Sequence, residues 1–159
     1  MSLDAPTTLR VSGAGLRFGV AAARFNEALV DALLGRLDAA LADAGVRAKD
    51  LTVIRVPGSH EVPWAAGQLA ASRRFDVVVA LGVLIGGDTN HHEMVGQSVS
   101  HALQRVALDT GVPVINGVIV TDTLAQARAR CTGRINRGAE FAHAALEMAA
   151  LKRQLGGKS

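Results

Sequence analysis

Hydrophobic residues recur along the chain in two alternating rhythms. Leu16 to Ala23 (LRFGVAAA) is a short, nearly continuous apolar run, the pattern of a strand buried on both faces. From Glu27 the rhythm changes: Leu29, Val30, Leu33, Leu34, Leu37 and Leu41 fall at three- and four-residue spacing, which predicts an amphipathic helix with Gly45 at its C-terminal cap. Leu51 to Val56 reads as a second strand stopped by Pro57-Gly58, and Pro63 suits the first turn of a helix over Trp64 to Arg73. Phe75 to Leu84 (FDVVVALGVL) predicts a third buried strand. Asn90 with Glu93 has the spacing of a capping box opening a helix that ends near Gly111, and Val112 to Val120 predicts a fourth strand. Thr123 with Gln126 repeats the capping pattern for a short helix through about Cys131, Thr132-Gly133 breaks it, and a last helix runs from roughly Gly138 to Leu155.

Strands alternating with helices of this length predict a three-layer, doubly wound α/β sandwich: a four-stranded parallel sheet with right-handed crossovers and helices on both faces. The expected organisation is an N-terminal arm over 1–15, one α/β domain over 16–155 and a flexible tail over 156–159. The chain has 159 residues, 49% of them hydrophobic, so some apolar surface is expected to face other subunits.

The net charge is only +3, its basic residues are interspersed with acidic ones, and there is no Tyr, one Trp and four Phe. Neither a basic run nor stacking aromatics mark a nucleic-acid binder. No segment offers about 18 uninterrupted apolar residues, and Met1 to Gly15 lacks the apolar core of an export signal. With Cys131 as its single cysteine, the chain is expected to be a soluble cytoplasmic protein without disulfides.

Ligands of open α/β sheets bind at the carboxyl ends of the strands, and the unusual residues gather there. Arg24-Phe25-Asn26 follows strand one, Ser59-His60-Glu61 strand two and Gly86 to His91 strand three, while Asn116 to Thr121 lies in and after strand four. The glycine-rich run Leu84 to Thr89 leads into a helix N-terminus, where free N–H groups and the helix dipole favour an anion such as phosphate; a plain tight turn satisfies the same residues. His91 and His92 open that helix, and histidine exchanges protons near neutral pH. Adjacent side chains on a helix diverge by about 100°, so no metal site is expected from the pair. Arg128, Arg130, Arg134 and Arg137 form a basic cluster, either a solvated face or a guanidinium clamp on phosphate. Glu61 is a candidate acceptor for polyol hydroxyls.

In order along about nine-tenths of the chain, these segments resemble the lumazine synthase family. Ala23-Arg24-Phe25-Asn26 is similar to the family's A-R-F-N. Val56 to Pro63 (VPGSHEVP) is similar to its V-P-G-[AS]-x-E-[IVL]-P, and Leu81 to His91 (LGVLIGGDTNH) to its L-G-x-[VL]-I-x-G-x-T-x-H. Thr110 to Ile115 and Thr121-Asp122-Thr123 continue the match. The resemblance implies flavodoxin-like strand order and condensation of 5-amino-6-(D-ribitylamino)uracil with 3,4-dihydroxy-2-butanone 4-phosphate, without metal or organic cofactor.

By the same resemblance Phe25 stacks on the pyrimidine, Ser59, His60 and Glu61 line the ribityl and ring pocket, and Val83, Leu84 and Ile85 offer backbone contacts to the ring. Asp88 and Thr89, with Gly87, match the phosphate loop. Arg130, or its neighbour Arg128, matches the arginine that grips the sugar phosphate, and His91 the histidine of proton transfer. Asn116 stands beside the ring where many relatives have Phe, His60 replaces a frequent Phe, and Arg137 replaces a usual Lys. The resemblance further implies a homopentamer with sites between neighbours, in many members closed into a 60-subunit icosahedral shell. A non-catalytic, flavin-binding or shell-forming paralogue of the same fold is the alternative that Asn116 and His60 motivate.

Overall fold

The computed structural model describes residues 4–156. Of the expected arm and tail, 1–3 and 157–159 lie outside the described residues. The sheet is parallel throughout, in the order β2-β1-β3-β4, built from β1 (Phe18–Ala23), β2 (Leu51–Val56), β3 (Val77–Ile85) and β4 (Val114–Thr121). The two runs that read as buried on both faces, β1 and β3, are the central strands. Every residue of β1 is buried, as is β3 through Val83, whereas β2 and β4 are edge strands with exposed positions.

The helices divide between the two faces: α1 (Glu27–Asp43), α4 (Leu124–Cys131) and α5 (Arg137–Leu155) on one, α2 (Val62–Ala71) and α3 (His91–Thr110) on the other. The period-2 alternation of a strand decides which side chain goes where. Phe18, Val20 and Ala22 face Leu33, Leu37 and Leu146, while Ala21 and Ala23 face Val62, Ala66 and Val99. The three-layer sandwich with flavodoxin-like strand order is therefore present.

The differences from the sequence reading are at element ends. β1 begins at Phe18 rather than Leu16, because Leu16 N–H donates to Gly13 in a turn and Arg17 N–H donates to the Asp76 side chain instead of a strand. β3 likewise begins at Val77, β4 at Val114, and α2 at Val62, continuing directly from a 3-10 turn over Ser59–Glu61. The capping box at Thr123 and Gln126 forms; the one expected at Asn90 and Glu93 does not, and Asn90 contributes only its carbonyl, to Glu93 N–H at 3.1 Å. Gly45 adopts φ +96°, the left-handed conformation that glycine takes without strain just past a helix end.

The last turn of α5 is fastened to the opposite end of the sheet from the strand carboxyl termini. Arg153 holds the Asp76 carboxylate with two N–H groups, each at 2.9 Å, and donates to Gly15 O at 2.7 Å. Hydrogen bonding to Asp76 raises the Arg153 pKa further above its ordinary value, against a smaller opposing effect of burial.

Candidate active site at the carboxyl edge of the sheet

Parallel pairing brings the ends of β1, β2 and β3 to one edge, where a cavity of about 730 Å³ opens, a size typical of small-molecule sites. Phe25 and Asn26 come from the turn after β1, Gly58 to Glu61 from the turn after β2, Val83 to Ile85 from the end of β3, and Gly87, Thr89, His91, His92 and Val95 from the loop and first turns of α3.

Each wall is set by a local constraint. Asn26 takes φ +56°, a conformation asparagine tolerates better than most residues, and its Nδ2 donates to Val83 O at 2.8 Å, tying the end of β1 to that of β3. The Phe25 ring is 72% exposed and lies over Gly58: a Cβ there would stand 3.1 Å from a ring carbon. Glu61 Oε2 accepts from Gly58 N–H at 2.8 Å, and Oε1 lies 3.8 Å from His60 Nδ1, so one carboxylate oxygen braces the loop and the other faces a partner of charge-dependent strength. Ser59 is buried, its Oγ has no hydrogen-bond partner, and Gly82 beneath it leaves no room for a Cβ, which would approach that Oγ to 2.4 Å.

The glycine-rich loop is pinned to the β4–α4 turn. Gly86 N–H donates to Thr121 O at 2.8 Å, and a Cβ on Gly86 would meet Asp122 O at 2.6 Å. Gly87, by contrast, has open space around it. His92, almost buried, presents Nε2 to Asp122 Oδ1 at 3.3 Å and leaves Nδ1 without a partner. His92, Glu93 and Asp122 bring one ligand atom each within 4.8 Å of one another, with both acids exposed. Asp122 reaches His92 from the end of β4, thirty residues away in sequence, a contact that helix spacing around the adjacent histidines does not predict.

Ten of the fourteen candidate residues line the cavity: Phe25, Ser59, His60, Glu61, Val83, Leu84, Ile85, Gly87, Thr89 and His91. Asp88, Asn116, Arg130 and Arg137 do not. Asn116 pairs with Ala80, well short of the carboxyl end of β4; its exposed side chain accepts from Val118 N–H at 3.1 Å. Arg130 lies on α4 with its guanidinium on Gln126 O at 3.0 Å, and Arg137 opens α5 paired with Glu140. Within a single chain Arg130 and His91 therefore stand apart. Asn26, Gly58, His92 and Val95 also line the cavity; Asn26 and His92 stand among the strand-end residues noted from the sequence without an assigned role, Gly58 lies in its motif, and Val95 shows only its helical spacing.

No helix among the described residues is long and apolar enough to cross a membrane. Residues 15–153 match the family described as 6,7-dimethyl-8-ribityllumazine synthase. Proteins of that name are similar to nearly the whole chain: one from Aquifex aeolicus is 45% identical over 148 residues, covering 92% of this chain and 96% of the relative. One from Thermococcus gammatolerans is 46% identical over 144 residues (90% and 92%), and one from Ralstonia pickettii 41% over 152 residues (96% and 89%). With its strand order, its strand-end cavity and this likeness along its length, the chain belongs to the 6,7-dimethyl-8-ribityllumazine synthase family.

Proposed function

We propose that the carboxyl-edge cavity is where this chain condenses 5-amino-6-(D-ribitylamino)uracil with 3,4-dihydroxy-2-butanone 4-phosphate, giving 6,7-dimethyl-8-ribityllumazine, phosphate and water. The observation that carries the reading is convergence: ten residues from three separate sequence motifs line one cavity. In this reading the ring stacks on exposed Phe25 and meets the backbone of Val83 to Ile85. The ribityl chain lies along Ser59 and His60, and its hydroxyls donate to Glu61 Oε1, the carboxylate oxygen not bonded to Gly58 N–H.

The chemistry is addition of the uracil amine to the ketone, loss of water to an imine, elimination of phosphate, and ring closure with loss of a second water. Each step moves protons between reactive partners, so the protein's main contribution is to hold two small molecules in register, with His91 as acid and base. Gly87, Asp88 and Thr89 receive the phosphate at the start of α3, where N–H groups favour an anion.

Arg130, Asn116 and Arg137 reach a site only if a second copy supplies them, and we read the site as shared between subunits of a homopentamer, with the 60-subunit shell as its larger closed form. Trp64, Met94 and Leu108, each more than half exposed, support burial against other copies. Residues 16–155 act in this reading as one catalytic domain, and a cytoplasmic location accords with a lone, buried, unpaired Cys131.

The test is product fluorescence with the purified chain and both substrates; flavin binding without turnover overturns the reading. His91→Ala should slow turnover by about 10- to 10³-fold while melting normally. Arg130→Ala should chiefly raise the KM for the sugar phosphate, and an unchanged KM would move that role to Arg128. When His91→Ala and Arg130→Ala subunits are co-assembled, about a quarter of the sites in a randomly mixed ring recover both groups. No gain over either variant alone would refute a shared site.

A further inference from the structure

The amino edge of the sheet, opposite the cavity, concentrates positive charge. Phe18 is in register with Leu51 and with Val77, so Arg17, Asp50 and Asp76, each one residue earlier, stand at one level. The 3-10 turn before β2 adds Lys49 and its N-cap Arg47, and the turn after α2 adds Arg74. Arg17, Arg47, Lys49, Asp50 and Arg74, together with Thr52 and Phe75, line a hollow of about 260 Å³.

Four cations (Arg17, Arg47, Lys49, Arg74) against one carboxylate (Asp50) leave a local excess of +3, equal to the net charge of the entire chain. The neighbouring acids are already committed. Asp50 holds Arg47 Nε at 2.8 Å, and Asp76 is taken by Arg153 and by the backbone N–H of Arg17. Among the described residues the side chains of Arg17, Lys49 and Arg74 have no hydrogen bond or ion pair; Arg74 lies over the Phe75 ring, 5.3 Å from its centre. Arg73, at φ +58°, makes the left-handed turn from which Arg74 follows. Like charges held in one concavity repel until a counter-charge enters.

We propose that this hollow is a binding site for a small phosphate-bearing anion of pyrophosphate size. Guanidinium forks match phosphoryl oxygens two at a time, and the ammonium of Lys49 adds a point charge between them. The hollow is too small for the two reactants of the cavity, and the six residues of β1 set the two sites about 20 Å apart.

Inorganic pyrophosphate titrated calorimetrically into the full chain at low salt should bind in addition to any phosphate held at the reaction site. Arg17→Gln combined with Arg74→Gln should weaken that event by about 10-fold or more, with turnover and melting unchanged. Lys49→Gln alone supplies a second variant should the pair disturb folding. Adenosine diphosphate run alongside separates free pyrophosphate from a nucleotide as the source, and binding of either that is lost in the variants supports the site. Equal pyrophosphate affinity in wild type and variants, or loss on Arg130→Ala with retention in the variants, assigns the anion elsewhere and overturns the proposal. So does a short single-stranded RNA that binds more tightly than both and is lost with the same charges.

Discussion

Replacing Gly86 by Ala tests whether the loop beneath the proposed phosphate site is held by close backbone approach. The new methyl would sit 2.6 Å from Asp122 O, 3.1 Å from Asp122 Cα and 3.2 Å from its carbonyl carbon. Ordinary contact begins at 3.4 Å, so loop and turn must separate by about 0.8 Å. Separation is resisted on both sides: Gly86 N–H is bonded to Thr121 O at 2.8 Å, and Thr121 is buried. Overpacking of this kind destabilises by about 1–3 kcal/mol, which for a domain of this size lowers Tm by about 2–12 °C. A displacement near 1 Å in a group that positions substrate lowers kcat/KM by up to about 100-fold. The assay is steady-state product fluorescence beside a thermal melt, with Gly87→Ala as the stability control, because its methyl meets no atom within 4 Å. Gly86→Ala melting and turning over like wild type would refute the close-approach reasoning. Equal destabilisation by Gly87→Ala would show that loop flexibility is what matters instead.

Leu33→Ala, at a fully buried position between α1 and the sheet, should cost about 2–5 kcal/mol in chemical denaturation; a loss under about 1 kcal/mol would contradict the packing described for α1. Thr123→Ala removes the oxygen that accepts Gln126 N–H at 3.2 Å and should cost about 1 kcal/mol by the same measurement, with no effect refuting its role as a cap. Burial raises the Cys131 thiol pKa above its ordinary 9.0, with Arg36 and Arg130 opposing more weakly, so the unfolded chain ionises first. Its contribution to stability is therefore full below pH 9.0 and lost as pH rises through the higher folded-state value, and a Cys131→Ala variant should lack that part of the alkaline decline in Tm. Rapid thiol labelling of the native protein at neutral pH would contradict the burial.

The central strands were legible because burial on both faces demands unbroken apolar runs, and LRFGVAAA and FDVVVALGVL have no other economical use in an α/β chain. Their first residues differ because the Arg17 backbone N–H donates to the Asp76 carboxylate and the Asp76 N–H to Arg17 O at the strand entries, contacts that periodicity does not register. The capping box at Thr123 was read correctly, whereas the same spacing at Asn90 was not, because spacing states which bonds are geometrically available and not which form. At the site, motif order indicated the residues that meet at the carboxyl edge. It could not report that Asn116 and Arg130 stay outside that cavity, since distance in space is absent from a linear string. Nor could it foresee Asp122 turning onto His92, or Asn26 reaching Val83 O from a left-handed turn.

The Arg153–Asp76 fastening has a practical corollary. It closes the edge of the sheet opposite the strand-end cavity, so weakening it loosens the fold without touching any group proposed to meet a reactant. Graded replacements at position 153 thus provide a dial for fold robustness with the chemistry held constant. Libraries that swap residues around the cavity could be screened on looser or tighter backgrounds set from that remote point, separating variants that fail at chemistry from those that merely fail to stay folded.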